Sequence, residues 1–204
     1  MLEALTGTGL AASAGLNAYI PLLLMGLLSR YTSLIDLPSG WQWLANGWVI
    51  AILAVLLVIE VVADKVPVVD HVNDVVQTVV RPTAGGLAFG AGAGSETVTV
   101  SDPGAFFTSQ QWVPIVAGVL IAFGVHGVKS AARPVVNAST AGVGAPVAST
   151  AEDATSVVMS IVAIVFPVLV LVFGVALVAF VAWLVRRRRD RRRGRRAARY
   201  ADYG

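Results

Sequence analysis

Four carboxylates recur at helical spacing in the stretch Val58–Asp74: Glu60 and Asp64, then Asp70 and Asp74 beyond Pro67. Residues four apart share a helix face, where like charges repel unless a proton, a cation or a basic side chain comes between them. Lys65 and Arg81 are the nearest bases in sequence. Glu60 closes an apolar run, and acids at membrane depth are costly enough to mark ion or proton routes. The chemistry expected is a cation or proton site at Glu60, Asp64 and Asp70 near the inner end of a span. The plain alternative is a solvated helix end, with Asp64, Asp70 and Asp74 facing water. Aspartates at such spacing also hold Mg²⁺ in diphosphate-using membrane enzymes. The second aspartate-rich motif of the prenyltransferases is missing, so catalysis is not expected, and no cofactor beyond a possible cation is implied.

Other polar residues sit inside apolar stretches. His126 lies within a span, either as a proton relay near neutral pH or as a hydrogen-bond partner of a neighbouring helix. His71 beside Asp70 reads as a solvated side chain rather than a metal ligand. Asn17 lies in Gly15-Leu-Asn-Ala-Tyr-Ile-Pro21, where Pro21 frees a carbonyl of the preceding turn. The stretch is either a helix break exposing backbone oxygens or a contact between helices. Gly86, Gly90 and Gly94 recur every four residues and predict close helix packing, within one chain or between copies.

The elements that must carry these residues are membrane helices. The chain has 204 residues, 56% hydrophobic and 13% charged, about half the charged share of a soluble domain. With no cysteine, disulfides and thiolate chemistry are excluded. The N-terminal Met-Leu-Glu-Ala-Leu has no basic segment, so a cleaved signal peptide is not expected. Spans are expected at Leu10–Leu28, Trp48–Val62, Trp112–Val128 and Val157–Val185. Weaker segments, Val75–Gly94 and Val135–Thr150, are rich in small residues and either cross or re-enter. Trp41, Trp43 and Trp48 suit an interface. The fold class is all-α, a polytopic bundle of about six membrane segments. A faint repeat relates Trp48…Lys65…Arg81-Pro82 to Trp112…Lys129…Arg133-Pro134, as in many transporters.

Charge orients this bundle. The tail from Arg186 carries ten arginines against Asp190 and Asp202, while the remaining residues carry five bases against ten acids. Arg186, Arg187, Arg188 and Arg189 abut the last span and are expected at the cytoplasmic face among anionic lipid head groups. A disordered tail over 186–204 follows a transmembrane domain over 1–185. Both termini, Lys65, Arg81, Lys129 and Arg133 then fall inside. Ser29–Gly47, Ser95–Gln111, Glu152 and Asp153 fall outside. The basic pI belongs to the tail, so nucleic acid is not an expected partner; self-association or a membrane complex is.

Three motifs together carry a resemblance: Gly15-Leu-Asn-Ala-Tyr-Ile-Pro21, Glu60-x3-Asp64-Lys65-x-Pro67-x2-Asp70, and Arg81-Pro82-x2-Gly85. Over about residues 5–180 the chain resembles a bacterial family of small integral membrane proteins classed as a domain of unknown function. The resemblance implies a location in the bacterial cytoplasmic membrane, and it draws attention to Asn17, Glu60, Asp64, Lys65, Asp70 and Arg81. The function expected is a small transporter or channel-like protein. A non-catalytic membrane scaffold and a Mg²⁺-dependent lipid enzyme are the alternatives.

Overall fold

The computed structural model describes residues 1–65, 67–94, 112–140, 144–176 and 183, with the side chains of 67–72, 135 and 137 excepted. Asp70 and His71 therefore contribute backbone only, and Arg186 to Arg189 lie outside the described residues. The helices are α1 (Leu2–Leu16), α2 (Tyr19–Tyr31), a 3₁₀ helix (Ser39–Ala45), α3 (Gly47–Ala63), α4 (Pro67–Gly92), α5 (Trp112–Thr140), α6 (Gly144–Val165) and α7 (Pro167–Ala176). No strand occurs among the described residues. The fold is all-helical. Both α5 and α6 are long and apolar enough to cross a membrane, and the 3₁₀ helix with α3, bent by 61°, makes a third such unit.

The expected span Leu10–Leu28 is instead two helices folded back on each other. Asn17 is extended (φ −144°, ψ 121°), which ends α1. Its Oδ1 then accepts from the backbone N–H groups of Tyr19 and Ile20, at 3.1 and 3.2 Å, and so caps α2. Pro21 falls in the first turn of α2, where a missing N–H costs nothing. Leu2, Glu3 and Thr6 of α1 line one cavity of about 290 Å³ together with residues 34–38 beyond α2. A continuous helix over these residues would separate its ends by about 45 Å at 1.5 Å per residue. The N-terminus and the 29–47 loop consequently share one end of the bundle, correcting their expected placement on opposite sides.

Helix boundaries elsewhere also depart from expectation. α5 continues through Arg133 and Pro134 to Thr140, and α6 starts at Gly144. The expected segment Val135–Thr150 thus falls on the end of α5 and the start of α6 rather than on a helix of its own. The last span does not begin at Val157, and it is interrupted at Phe166. Beyond that break Val170 returns to Gly9, the glycine that Ala163 also packs against. Residues 1–170 form one compact unit; 171–204 form a second, whose described part is the end of α7 and Trp183.

The α1 helix is the centre of the first unit, touching α4, α5 and α6 along its length. Its glycines make this possible. Gly7 lies against Phe89, Gly9 against Ala163, and Gly15 against Ala122 and Val125. A Cβ on Gly15 would stand 2.7 Å from the Ala122 carbonyl oxygen. Gly85 and Gly118 bring α4 and α5 into similar backbone contact. Of the expected glycine ladder, Gly86 meets Ile115 and Val119, and Gly90 meets Trp41. Both are filled within the chain. Gly94 lies beyond α4 with φ +66°, beside Glu3, and takes no part in helix packing. Trp41 is a core residue, 3% exposed, whereas Trp48 is 81% exposed.

Candidate functional site

The helices converge on a buried ion network. Glu60, in the last turn of α3, and Asp64, in the turn after it, are 1% and 2% exposed. Helical spacing puts both on one face, as their sequence separation implied. Arg81, from the middle of α4, is wholly buried. Its NH2 donates to Glu60 Oε1 at 2.8 Å and lies 3.7 Å from Asp64 Oδ2. Two further bases enter from α5. Lys129 Nζ is 3.5 Å from Asp64 Oδ2, and Arg133 NH2 is 3.2 Å from it. Asp64 also accepts from Asn73 at 2.7 Å and from Ser149 at 3.4 Å.

Glu152 of α6 shares both α5 bases, 2.8 Å from Lys129 and 3.3 Å from Arg133. Asp153 beside it accepts from Asn17 Nδ2 at 2.9 Å. Glu152 and Asp153 thus lie on the same side as Lys129 and Arg133, correcting the expectation that placed them across the membrane. Lys129 additionally donates to the carbonyl of Leu16, at 3.1 Å. That oxygen is the orphan that a helix break creates at the end of α1. It is not the carbonyl that Pro21 was expected to free, which belongs to Asn17, four residues before the proline.

His126 is held by its neighbours in one tautomer. Arg81 NH1 lies 3.2 Å from Nδ1, and a guanidinium can only donate, so Nδ1 accepts. Nε2 then carries the hydrogen, 3.2 Å from Thr78 Oγ1. Asp74 reaches the network loosely, 3.9 Å from Arg133 NH1. Among the described residues, the buried side-chain atoms Glu60 Oε2, Asp74 Oδ1, Gln77 Oε1 and Arg81 Nε have no hydrogen-bond partner. Tyr19, at the start of α2, interacts with Gln77 and feels the charges of Glu60 and Arg81.

Among the expected site residues, Asn17, Glu60, Asp64, Asp74, Arg81 and His126 come together. Lys65 does not; its ammonium bonds the Val61 carbonyl at 3.1 Å and closes the end of α3. The alternative of a solvated helix end fails for Asp64, which is buried with Glu60; the Asp70 side chain lies outside the described residues. A cation at Asp64 would meet three cationic side chains, which opposes the expected metal-like use of that residue. No group of three or more His, Asp or Glu able to hold a metal occurs among the described residues.

Residues that local reasoning left out of the site are Tyr19, Gln77, Lys129, Arg133, Glu152 and Asp153. For the last four the signal lies in the charges carried by α5 and α6. Lys129 and Arg133 are one turn apart inside a helix with no other Lys, Arg, Asp or Glu, and Glu152 and Asp153 interrupt the next. The faint repeat has a partial counterpart here: both Arg-Pro arginines enter the network, but of the two lysines only Lys129 does.

The site is an all-helical bundle in which a broken hairpin ends on buried, paired charges. The chain belongs to the family described as "Domain of unknown function (DUF4126)", whose model matches residues 4–187. No curated protein and no solved structure matches it.

Proposed function

We propose that this protein is a small transporter of the bacterial cytoplasmic membrane, with the ion network around Glu60, Arg81 and Asp64 as its polar site. One observation carries this: the α1–α2 hairpin breaks at Asn17 directly against the network, inside the bundle. Broken helices whose ends face buried polar groups are how transporter folds build ion and substrate sites within the bilayer. Buried ion pairs stabilise a fold little, because desolvation offsets their attraction. Three bases and several acids in an otherwise apolar bundle are then better explained by use than by stability.

Trp112 lies about 25 Å along α5 from Lys129, so the network sits deep toward the end opposite Trp112. Lys65, Arg81, Lys129 and Arg133 all lie toward that end, which supports placing it, with the arginine tail, at the cytoplasmic face. The N-terminus then belongs to the outer face with the 29–47 loop. The burial of Glu60 and Asp64 disfavours a plain scaffold, and the bases around Asp64 disfavour a Mg²⁺ enzyme.

The test is flux in proteoliposomes for protons and a panel of cations, comparing wild type with Glu60→Gln and Asp64→Asn. Flux that falls in the variants is the expected result. No flux under any gradient, or equal flux in all three proteins, overturns the proposal.

A further inference from the structure

We propose that the ion handled by this site is the proton, taken up by Glu60 while Arg81 changes partner from Glu60 to Asp64. This deepens the transport reading and rests on it for its role, though not for its chemistry. The two carboxylates, one helical turn apart, are bonded very unequally. Asp64 faces Lys129, Arg133, Arg81, Asn73 and Ser149. Among the described residues Glu60 has one charged partner, Arg81 on Oε1, and its buried Oε2 has none. Protonating Asp64 would weaken three ion pairs, whereas protonating Glu60 weakens one.

Arg81 already stands between the two, 2.8 Å from Glu60 and 3.7 Å from Asp64. A shift of about 1 Å of its guanidinium, within ordinary side-chain motion, exchanges the partners. Glu152 shares Lys129 and Arg133 with Asp64, which leaves Asp64 able to accept a third base. The step balances: a hydronium gives its proton to Glu60 Oε2, the carboxylate becomes a neutral acid, and Arg81 stays cationic throughout. A metal ion at Glu60 would instead add a cation beside Arg81 and be repelled by it.

The charged and titratable groups around Glu60 come from every packed element. Tyr19 faces it from α2, Asp64 and Lys65 lie at the end of α3, and Asp74 and Arg81 belong to α4. His126, Lys129 and Arg133 come from α5, and Glu152 and Asp153 from α6. Of the bases, Arg81 alone is within ion-pair distance of Glu60 among the described residues. Asp74 and Glu152, 22% and 20% exposed, bring the network to the surface of the described bundle.

The experiment is infrared difference spectroscopy on the full chain in liposomes, between mildly alkaline and mildly acidic pH. Wild type is expected to gain a protonated-carboxyl C=O band on acidification. Glu60→Gln loses that band, and Asp64→Asn keeps it. A band retained in Glu60→Gln, or absent from wild type, overturns the proposal. If Glu60→Gln does not fold, Glu60→Asp serves, and a band with unchanged position and midpoint overturns the proposal equally. Proton flux is followed in the same liposomes. The expected band without flux upholds the proton site and sinks only the transport reading. Flux unaffected by Glu60→Gln overturns Glu60 as the carrier while transport stands.

Discussion

Asn17 Nδ2 donates to Asp153 Oδ1 over 2.9 Å, fastening the α1–α2 break to the middle of α6. The same amide group does two tasks, because its oxygen caps α2 through Tyr19 and Ile20. Just below it, Ser13 bonds Ser156 and Ser160 at 2.7 and 2.6 Å, all three fully buried. The hairpin is thereby held to α6 by a polar seam and to α4 and α5 by glycine contacts.

Asn17→Ala removes the cap, worth about 1 kcal/mol, and strands a part-buried carboxylate, which costs about 1–3 kcal/mol more. A loss of roughly 2–4 kcal/mol is expected on those grounds, measured as unfolding free energy in detergent or bicelles. Asn17→Asp keeps a capping oxygen but opposes Asp153 with a second carboxylate. It should be no milder than the alanine variant at neutral pH and should recover on acidification. A neutral effect of both variants would contradict the geometry at the break.

Close backbone contact at Gly118 predicts a contrast along α5. A Cβ there meets Phe89 and the Gly85 backbone, so Gly118→Ala must push α4 away and costs about 1–3 kcal/mol. Nothing lies within 4 Å of a Cβ at Gly124. Gly124→Ala is therefore neutral, or stabilising by up to about 1 kcal/mol through helix propensity. Thermal unfolding of the two variants side by side checks this, and equal effects would refute the crossing.

Parts of this architecture are visible in local pattern. α3 at Gly47–Ala63 follows the apolar run Trp48–Val62 almost residue for residue, and the shared face of Glu60 and Asp64 follows from their spacing. The hairpin is not visible that way, because hydropathy scores the run through Asn17 and Ala18 the same whether it crosses or folds back. Nor is the network. Arg133 finds Asp64 across 69 positions, and a charge rule that places ions at surfaces cannot foresee that Lys129 is buried against Asp64 and Glu152.

Asp64 stands in the turn beyond α3, and its ionisation should shape acid stability. Burial raises its pKa, but Lys129, Arg133 and Arg81 outweigh this and hold it below the ordinary aspartate value of 3.8. A depressed carboxylate contributes stability above its unfolded value and loses it as pH falls through the folded value. Stability from this residue is thus complete above about pH 4 and is lost below it. Asp64→Asn lowers stability by about 3–5 kcal/mol at neutral pH, as for other broken buried pairs, and flattens the acid limb. A variant whose acid limb matches wild type would show that Asp64 is not the group lost there.

The hairpin makes a geometric prediction that needs no knowledge of function. The chain has no cysteine, so each introduced thiol is the sole label. Leu2 and Leu34 are 56% and 65% exposed and flank the same cavity. Leu2→Cys and Leu34→Cys should therefore react with a membrane-impermeant maleimide from the same side of intact cells or oriented vesicles. A helix crossing the bilayer from Leu10 to Leu28 would put the two thiols on opposite sides, about 45 Å apart. Labelling of one from outside and the other only after permeabilisation would therefore rule out the hairpin, and with it the placement of Asn17 at the network.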